Sequence, residues 1–189
     1  DETAATPDVS GLSFGGLSIT GNVFLAIDVQ ASFRWIVIKP YGVGHYINGL
    51  NVQGNIFRTF SGTIERVEMI DTTYADLDQS RMRNIIFEGN AFNGVSNPTR
   101  NPHIDVHVQS SPDQTWTVDT QNYLPFDGHA RTIDALVPIF AVRNAAGDAV
   151  FANPYVSPSQ GANDDEFRVL WLEPVTGQVR CSVRMDNPA

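Results

Sequence analysis

The chain has 189 residues, 42% of them hydrophobic, with a formal net charge of -9 and an isoelectric point near 4.7. That length and apolar content allow one good core, or one core and a small second one, and they exclude a disordered chain. The acidic balance argues against nucleic acid as a partner, and no apolar run approaches the ~20 residues of a membrane span.

Residues 1–12 read as an extended lead-in with no capping pattern, so earlier repeats are expected ahead of them. Three related runs follow: Gly16-Leu-Ser-Ile-Thr-Gly-Asn-Val-Phe24, Gly49-Leu-Asn-Val-Gln-Gly-Asn-Ile-Phe57 and Asn84-Ile-Ile-Phe-Glu-Gly-Asn-Ala-Phe92. Their Gly-Asn pairs start at 21, 54 and 89, so the pattern returns after 33 and then 35 residues. A period of this size signals stacked supersecondary units. Alternating apolar positions (Leu17/Ile19, Leu50/Val52, Ile85/Phe87) have the two-residue period of a strand with one buried face. Gly-Asn accepts a left-handed backbone, so each strand is expected to turn a sharp corner there. Together these features predict an all-β chain with a parallel β-solenoid over 13–112.

Phe33–Pro40 and Ile64–Ile70 read as the second strands of the first two coils. Counting on through Asn97–Pro102 places Val106-His-Val108 over Ile36-Val-Ile38 and Glu68-Met-Ile70. Residues 41–46 and 72–80 are polar, turn-rich loops. The period then stops at the turn cluster Gln109–Asp113. Separate strands are expected over Thr115–Thr120, Ile133–Val142, Val150–Tyr155, Phe167–Leu172 and Gln178–Arg184, with hairpin turns at Asn144–Asp148 and Glu173–Gly177. Residues 113–189 thus read as a small antiparallel β-domain that caps the solenoid. Cys181 stands alone, so no internal disulfide is possible.

Two constellations carry candidate chemistry. Asp71, Asp76 and Asp78 are weak catalytic candidates, because paired carboxylates ~5–9.5 Å apart can act as acid and base. No carboxylate pair recurs across coils, so catalysis is not expected of this segment. His103, Asp105 and His107 alternate along one strand face and bear metal-ligating groups, but such neighbours lie ~7 Å apart and need a second chain to share an ion. No other cofactor is expected. If Ile36 and Ile38 face the core, the two-residue period turns Trp35, Val37, Val67 and Met69 outward as an apolar face suited to self-association.

The Gly-Asn-x-Phe coils, Ile38-Lys-Pro-Tyr-Gly-Val-Gly-His-Tyr-Ile-Asn-Gly49 and Val179-Arg-Cys-Ser-Val-Arg-Met-Asp186 carry a resemblance. They are similar to the C-terminal part of pectate-lyase-like, right-handed parallel β-helix proteins of alphaproteobacteria, their phages and gene transfer agents. The resemblance implies a homotrimeric spike or fibre on a virion or other extracellular particle, attached to other particle proteins and bound to host cell-surface (capsular) polysaccharide. Tyr41, His45, Tyr46 and Tyr74, the loop aromatics, are then the expected carbohydrate-binding residues. In a trimer, His107 from three chains would converge near the axis, where an ion can bind. The alternative is a fragment of a pectate-lyase-like polysaccharide-degrading hydrolase or lyase.

Overall fold

A computed structural model describes residues 10–187, so most of the 1–12 lead-in lies outside the described residues. Among the described residues the regular structure is all β apart from two single 3-10 turns, Gln79–Arg81 and Pro125–Asp127. The chain forms two compact units. One holds the residues up to Asn101 together with those from Asp186, and the other holds Pro102–Met185.

The first unit contains β1 (Ser13–Phe14), β2 (Leu17–Thr20), β3 (Val23–Asp28), β4 (Ile36–Ile38) and β5 (Tyr46–Gln53). It continues with β6 (Ile56–Ser61), β7 (Glu68–Ile70), β8 (Arg83–Glu88) and β9 (Ala91–Asn93). All its sheets are parallel: β5 lies between β8 on one side and β1 and β2 on the other, β6 between β3 and β9, and β4 pairs β7. The register follows the sequence period, with Leu17 beside Leu50 beside Ile85 and Ile19 beside Val52 beside Phe87. Leu50, Val52, Ile85 and Phe87 are buried. Phe24, Phe57 and Phe92 stack in line, with successive ring centroids 4.8 and 5.7 Å apart.

The corners fall on the Gly-Asn pairs. Gly21, Gly54 and Gly89 share φ of +68°, +62° and +64°. A Cβ on Gly54 would meet no atom within 4 Å, so the backbone angle rather than crowding selects glycine. Beside them the asparagines form a column. Asn22 N and Nδ2 donate to Asn55 Oδ1 (2.9 and 3.2 Å), and Asn55 N and Nδ2 donate to Asn90 Oδ1 (2.9 and 3.0 Å). Each lower amide also reaches back to a strand carbonyl, Asn55 Nδ2 to Ile19 O and Asn90 Nδ2 to Val52 O, both at 2.8 Å. These bonds satisfy groups that a buried corner would otherwise strand.

Val106–Val108 does not stack on β4 and β7. The third repeat instead runs Val95–Thr99 beside Ile64–Glu68, with Ser96 N donating to Ile64 O (2.9 Å) and Asn97 N to Glu65 O (2.7 Å). Pro98 and Pro102 lack the N–H groups that a continued ladder needs, and the repeat ends there. Thr99 Oγ1 donates to the buried Glu68 carboxylate at 2.9 Å, and Arg66 Nη1 lies 3.8 Å from it.

The second unit comprises β10 (His103–Asp119), β11 (Thr132–Pro138), β12 (Arg143–Asn144), β13 (Tyr155–Gln160) and β14 (Glu166–Arg184). All four other strands pair antiparallel with β14. The unit therefore starts ahead of the expected 112/113 boundary, at Pro102. Gln109–Asp113 and Glu173–Gly177, read as turns, lie inside two long strands facing each other, where the β10–β14 register shifts twice. Mutual bulging absorbs Pro112 and Pro174 without a reversal of the chain. Asn144–Asp148 does form a tight turn, in which Asn144 Oδ1 accepts from Ala146 N and Asp148 N. Trp116, Phe167, Val169, Val179, Cys181 and Val183 are buried in this unit.

Candidate functional site

The pairing of β4 with β7 builds a cluster just beyond the strand ends. Because Ile38 sits beside Ile70, the next residues, Lys39 and Asp71, emerge as neighbours, and their Nζ and Oδ2 are 2.9 Å apart. Asp71 also accepts from Thr73 N at 3.0 Å and from the Thr73 hydroxyl. The Lys39 ammonium, then the two Thr73 donors, hold the Asp71 carboxyl down at about 2. The same hydrogen bond raises Lys39 above its ordinary value. Asp71 is thus an ion-pair and turn residue.

Three residues on from the end of β4, and four on from the end of β7, come the rings. Tyr41 and Tyr74 stack at 4.9 Å between centroids and 21° between planes, and Lys39 Nζ stands 4.9 Å from the Tyr74 centroid. Tyr74 keeps 52% of its surface exposed. An aromatic pair of exposed Tyr74 and half-buried Tyr41, beside a charged donor and a charged acceptor, offers an apolar ring face and two strong hydrogen-bonding groups in one place. That combination suits a ligand with both C–H faces and hydroxyl edges.

The other two expected aromatics join a different cluster. Tyr46 lies under the Arg81 guanidinium, 4.1 Å from carbon to ring centroid, and Arg81 Nη1 donates to Gly44 O at 3.1 Å. His45 contributes its backbone carbonyl, which accepts from Asp78 N at 2.7 Å. Sequence reading missed Lys39. Its signal was the register itself, since Lys39 follows Ile38 as Asp71 follows Ile70.

The remaining candidates serve structure. Asp78 caps the 3-10 turn Gln79–Arg81 by accepting from Ser80 N at 2.9 Å, and Asp76 Oδ1 accepts from Leu77 N at 2.7 Å. His103, Asp105 and His107 do share one face of β10, but the His103 ring packs on Tyr123 (5.0 Å) and the His107 ring on Trp116 (5.8 Å). Among the described residues, no three His, Cys, Asp or Glu side chains gather as a metal site.

The expected association face is also corrected. Val67 is fully buried, and Trp35 turns onto Phe57 with centroids 5.5 Å apart. Met69 is half-buried, leaving only Val37 of the four exposed. The two-residue period holds within β4, but Arg66, Val67 and Glu68 are buried in succession where the chain enters β7. The paired strands β3 and β6 instead carry a set of exposed apolar side chains, Val23, Leu25, Ile27, Ile56 and Phe60. No protein-family model, no curated protein and no solved structure matches the chain.

Proposed function

We propose that the first unit is a stack of coils of a right-handed parallel β-helix in a phage-like or gene-transfer-agent spike or fibre, and that it binds cell-surface polysaccharide. The recurrence of one register across its parallel sheets supports the coil reading. The Tyr41–Tyr74 stack, with Tyr74 exposed beside Lys39 and Asp71, carries the binding reading. Tyrosine rings present rigid, amphipathic area at little entropic cost, and the charged pair orients hydroxyl groups. Such a site needs no acid–base pair, which accords with the use of Asp71, Asp76 and Asp78 in local structure.

The spike reading includes three copies of the chain held at a particle surface by other particle proteins. The outer face of β3 and β6 supplies the apolar area for contact between copies, in place of Trp35 and Val67. Binding is tested by affinity electrophoresis in gels that contain bacterial capsular polysaccharides. Tyr74→Ala is expected to weaken retention by about tenfold, equivalent to about 1.4 kcal/mol. Equal migration of wild type and Tyr74→Ala in every polysaccharide that retards the chain would reject this site.

A further inference from the structure

The second unit carries a long strand edge inside its own sheet. β14 is the centre of that sheet, with β10, β11, β12 and β13 all hydrogen-bonded to it. β10 has no other strand neighbour among the described residues, and their backbone bonds reach Ile104–Val108 from β14 alone. An edge strand directs half of its N–H and C=O groups away from its one neighbour, where another strand can pair with them. Folded proteins blunt such edges with proline, lysine or a bulge. Here Pro102 and Pro112 bound the segment, and the bulges lie beyond Gln109. His103–Gln109 itself holds no proline, lysine or arginine.

The side chains of this segment fall into two sets. On one face Ile104, Val106 and Val108 keep 54, 39 and 61% of their surface exposed. On the other face Asp105 and His107 are half-buried. Asp105 stands opposite the buried Cys181, and its carboxylate has no hydrogen-bond or ion-pair partner among the described residues. The His107 ring packs on Trp116 and lies 3.4 Å from Gln109 Oε1. About Val106 the segment is self-complementary. Two residues away on either side stands an apolar side chain, and one residue away a carboxylate faces an imidazole in the reversed order.

We infer that this edge is a docking surface for a second copy of the chain, the two β10 strands pairing antiparallel about a twofold axis through Val106. In such a contact residue i meets j and j meets i. Ile104 then opposes the partner's Val108, Val106 the partner's Val106, and Asp105 the partner's His107. Opposed residues of an antiparallel pair share a face, so the axis passes through a residue and not between two. An axis at Asp105 would set two carboxylates against each other, and one at His107 would set two imidazoles together. An axis at Ile104 would place Pro102, which has no N–H, opposite the partner's Val106. The axis at Val106 gives each Asp105 carboxylate an imidazole N–H and each exposed apolar side chain an apolar neighbour. This pairing involves β10 alone, apart from both the sugar site and the outer face of β3 and β6.

Cross-linking reads the register. The two Val106 Cα atoms would lie about 4.5–5.5 Å apart, within disulfide reach, whereas two copies of Ile104 would be offset by four residues, or ~14 Å. Both side chains are exposed, so each position accepts cysteine without disturbing the core. Oxidised with copper–phenanthroline at micromolar concentration, Val106→Cys is expected to form a covalent pair at least about tenfold faster than Ile104→Cys. Equal rates at the two positions, or no covalent pair from either, would overturn the pairing. Amide exchange of the wild-type chain gives a second reading. Protection of the Ile104–Val108 amides that point away from β14 is expected to rise with protein concentration. Full protection already in dilute solution would give the edge to the chain's own residues, and no protection at any concentration would leave it open; either result overturns the inference. Neither measurement depends on the mass of the assembly, so failure of the trimer leaves the test intact.

Discussion

Asn55 takes part in four side-chain hydrogen bonds, two accepted from Asn22 and one donated to each of Ile19 O and Asn90 Oδ1. Truncation leaves the backbone N–H of Asn22 and the carbonyl of Ile19 without partners. Asn55→Ala is therefore expected to lower stability by about 1–3 kcal/mol in urea denaturation, with the m-value unchanged. The position of this residue could be read from the recurring Gly-Asn pairs, because left-handed glycine followed by a buried amide is a local requirement. Asp71 makes a second residue-scale case. Its folded value of about 2 lies below its ordinary value of 3.8, so the ion pair's contribution is present in full above about pH 4. It is lost as the pH falls through 2. A carboxyl titration by NMR is expected to place Asp71 near 2, and Lys39→Ala is expected to move it up towards the ordinary range.

At the scale of elements, β10 and β14 show where local signals mislead. Alternation over His103–Val108 and Gln178–Arg184 marks both as strands, and they are strands. Their partner was not legible, because alternation fixes the face of a strand and not its neighbour. The Pro-containing clusters in the middle of each strand have turn composition. Only after the two strands are laid side by side do the clusters meet as opposed bulges between Gln109 and Thr115. The pairing also fixes the chemistry of the lone thiol. Cys181 stands opposite Asp105 in the β10–β14 pair and its Sγ lies 3.6 Å from Asp105 O. Burial first, then the Asp105 charge, pushes the thiol up to about 11. Iodoacetamide at pH 8 is expected to leave Cys181 unmodified in the folded chain and to alkylate it fully in denaturant, checked by intact-mass measurement. Rapid labelling of the folded chain would show that β10 and β14 separate readily.

For the whole molecule, the expectation of exposed apolar area was sound and its address was wrong. Counting outward from Ile36 and Ile38 assumed that β7 keeps strand alternation from Val67 onward. Consecutive burial of Arg66, Val67 and Glu68 breaks that assumption. Val23, Leu25, Ile27, Ile56 and Phe60 hold the exposed positions instead. If three copies associate through this face, light scattering of the chain will give about three times 20.7 kDa, and Ile27→Glu with Phe60→Glu will reduce it to one copy. A wild-type mass of one copy at micromolar concentration would reject the trimer. The candidate site was half legible. Tyr41 and Tyr74 stand out as loop aromatics, but their stacking and the Lys39–Asp71 pair depend on the register of β4 with β7, across about thirty residues of chain.

The cap at β8 has a consequence for the order of events on the ribosome. Asn101 and Asp186 bond to each other and to Ile85 although 85 residues separate them in the chain. Everything from Pro102 to Met185 must leave the exit tunnel before that carboxylate is available. Until then Ile85 N lacks its Asp186 acceptor, and a chain that stops short of Asp186 never gains it. Synthesis past Asp186 thus acts as a checkpoint: only a polypeptide extended that far can seal the strand laid down a hundred residues earlier.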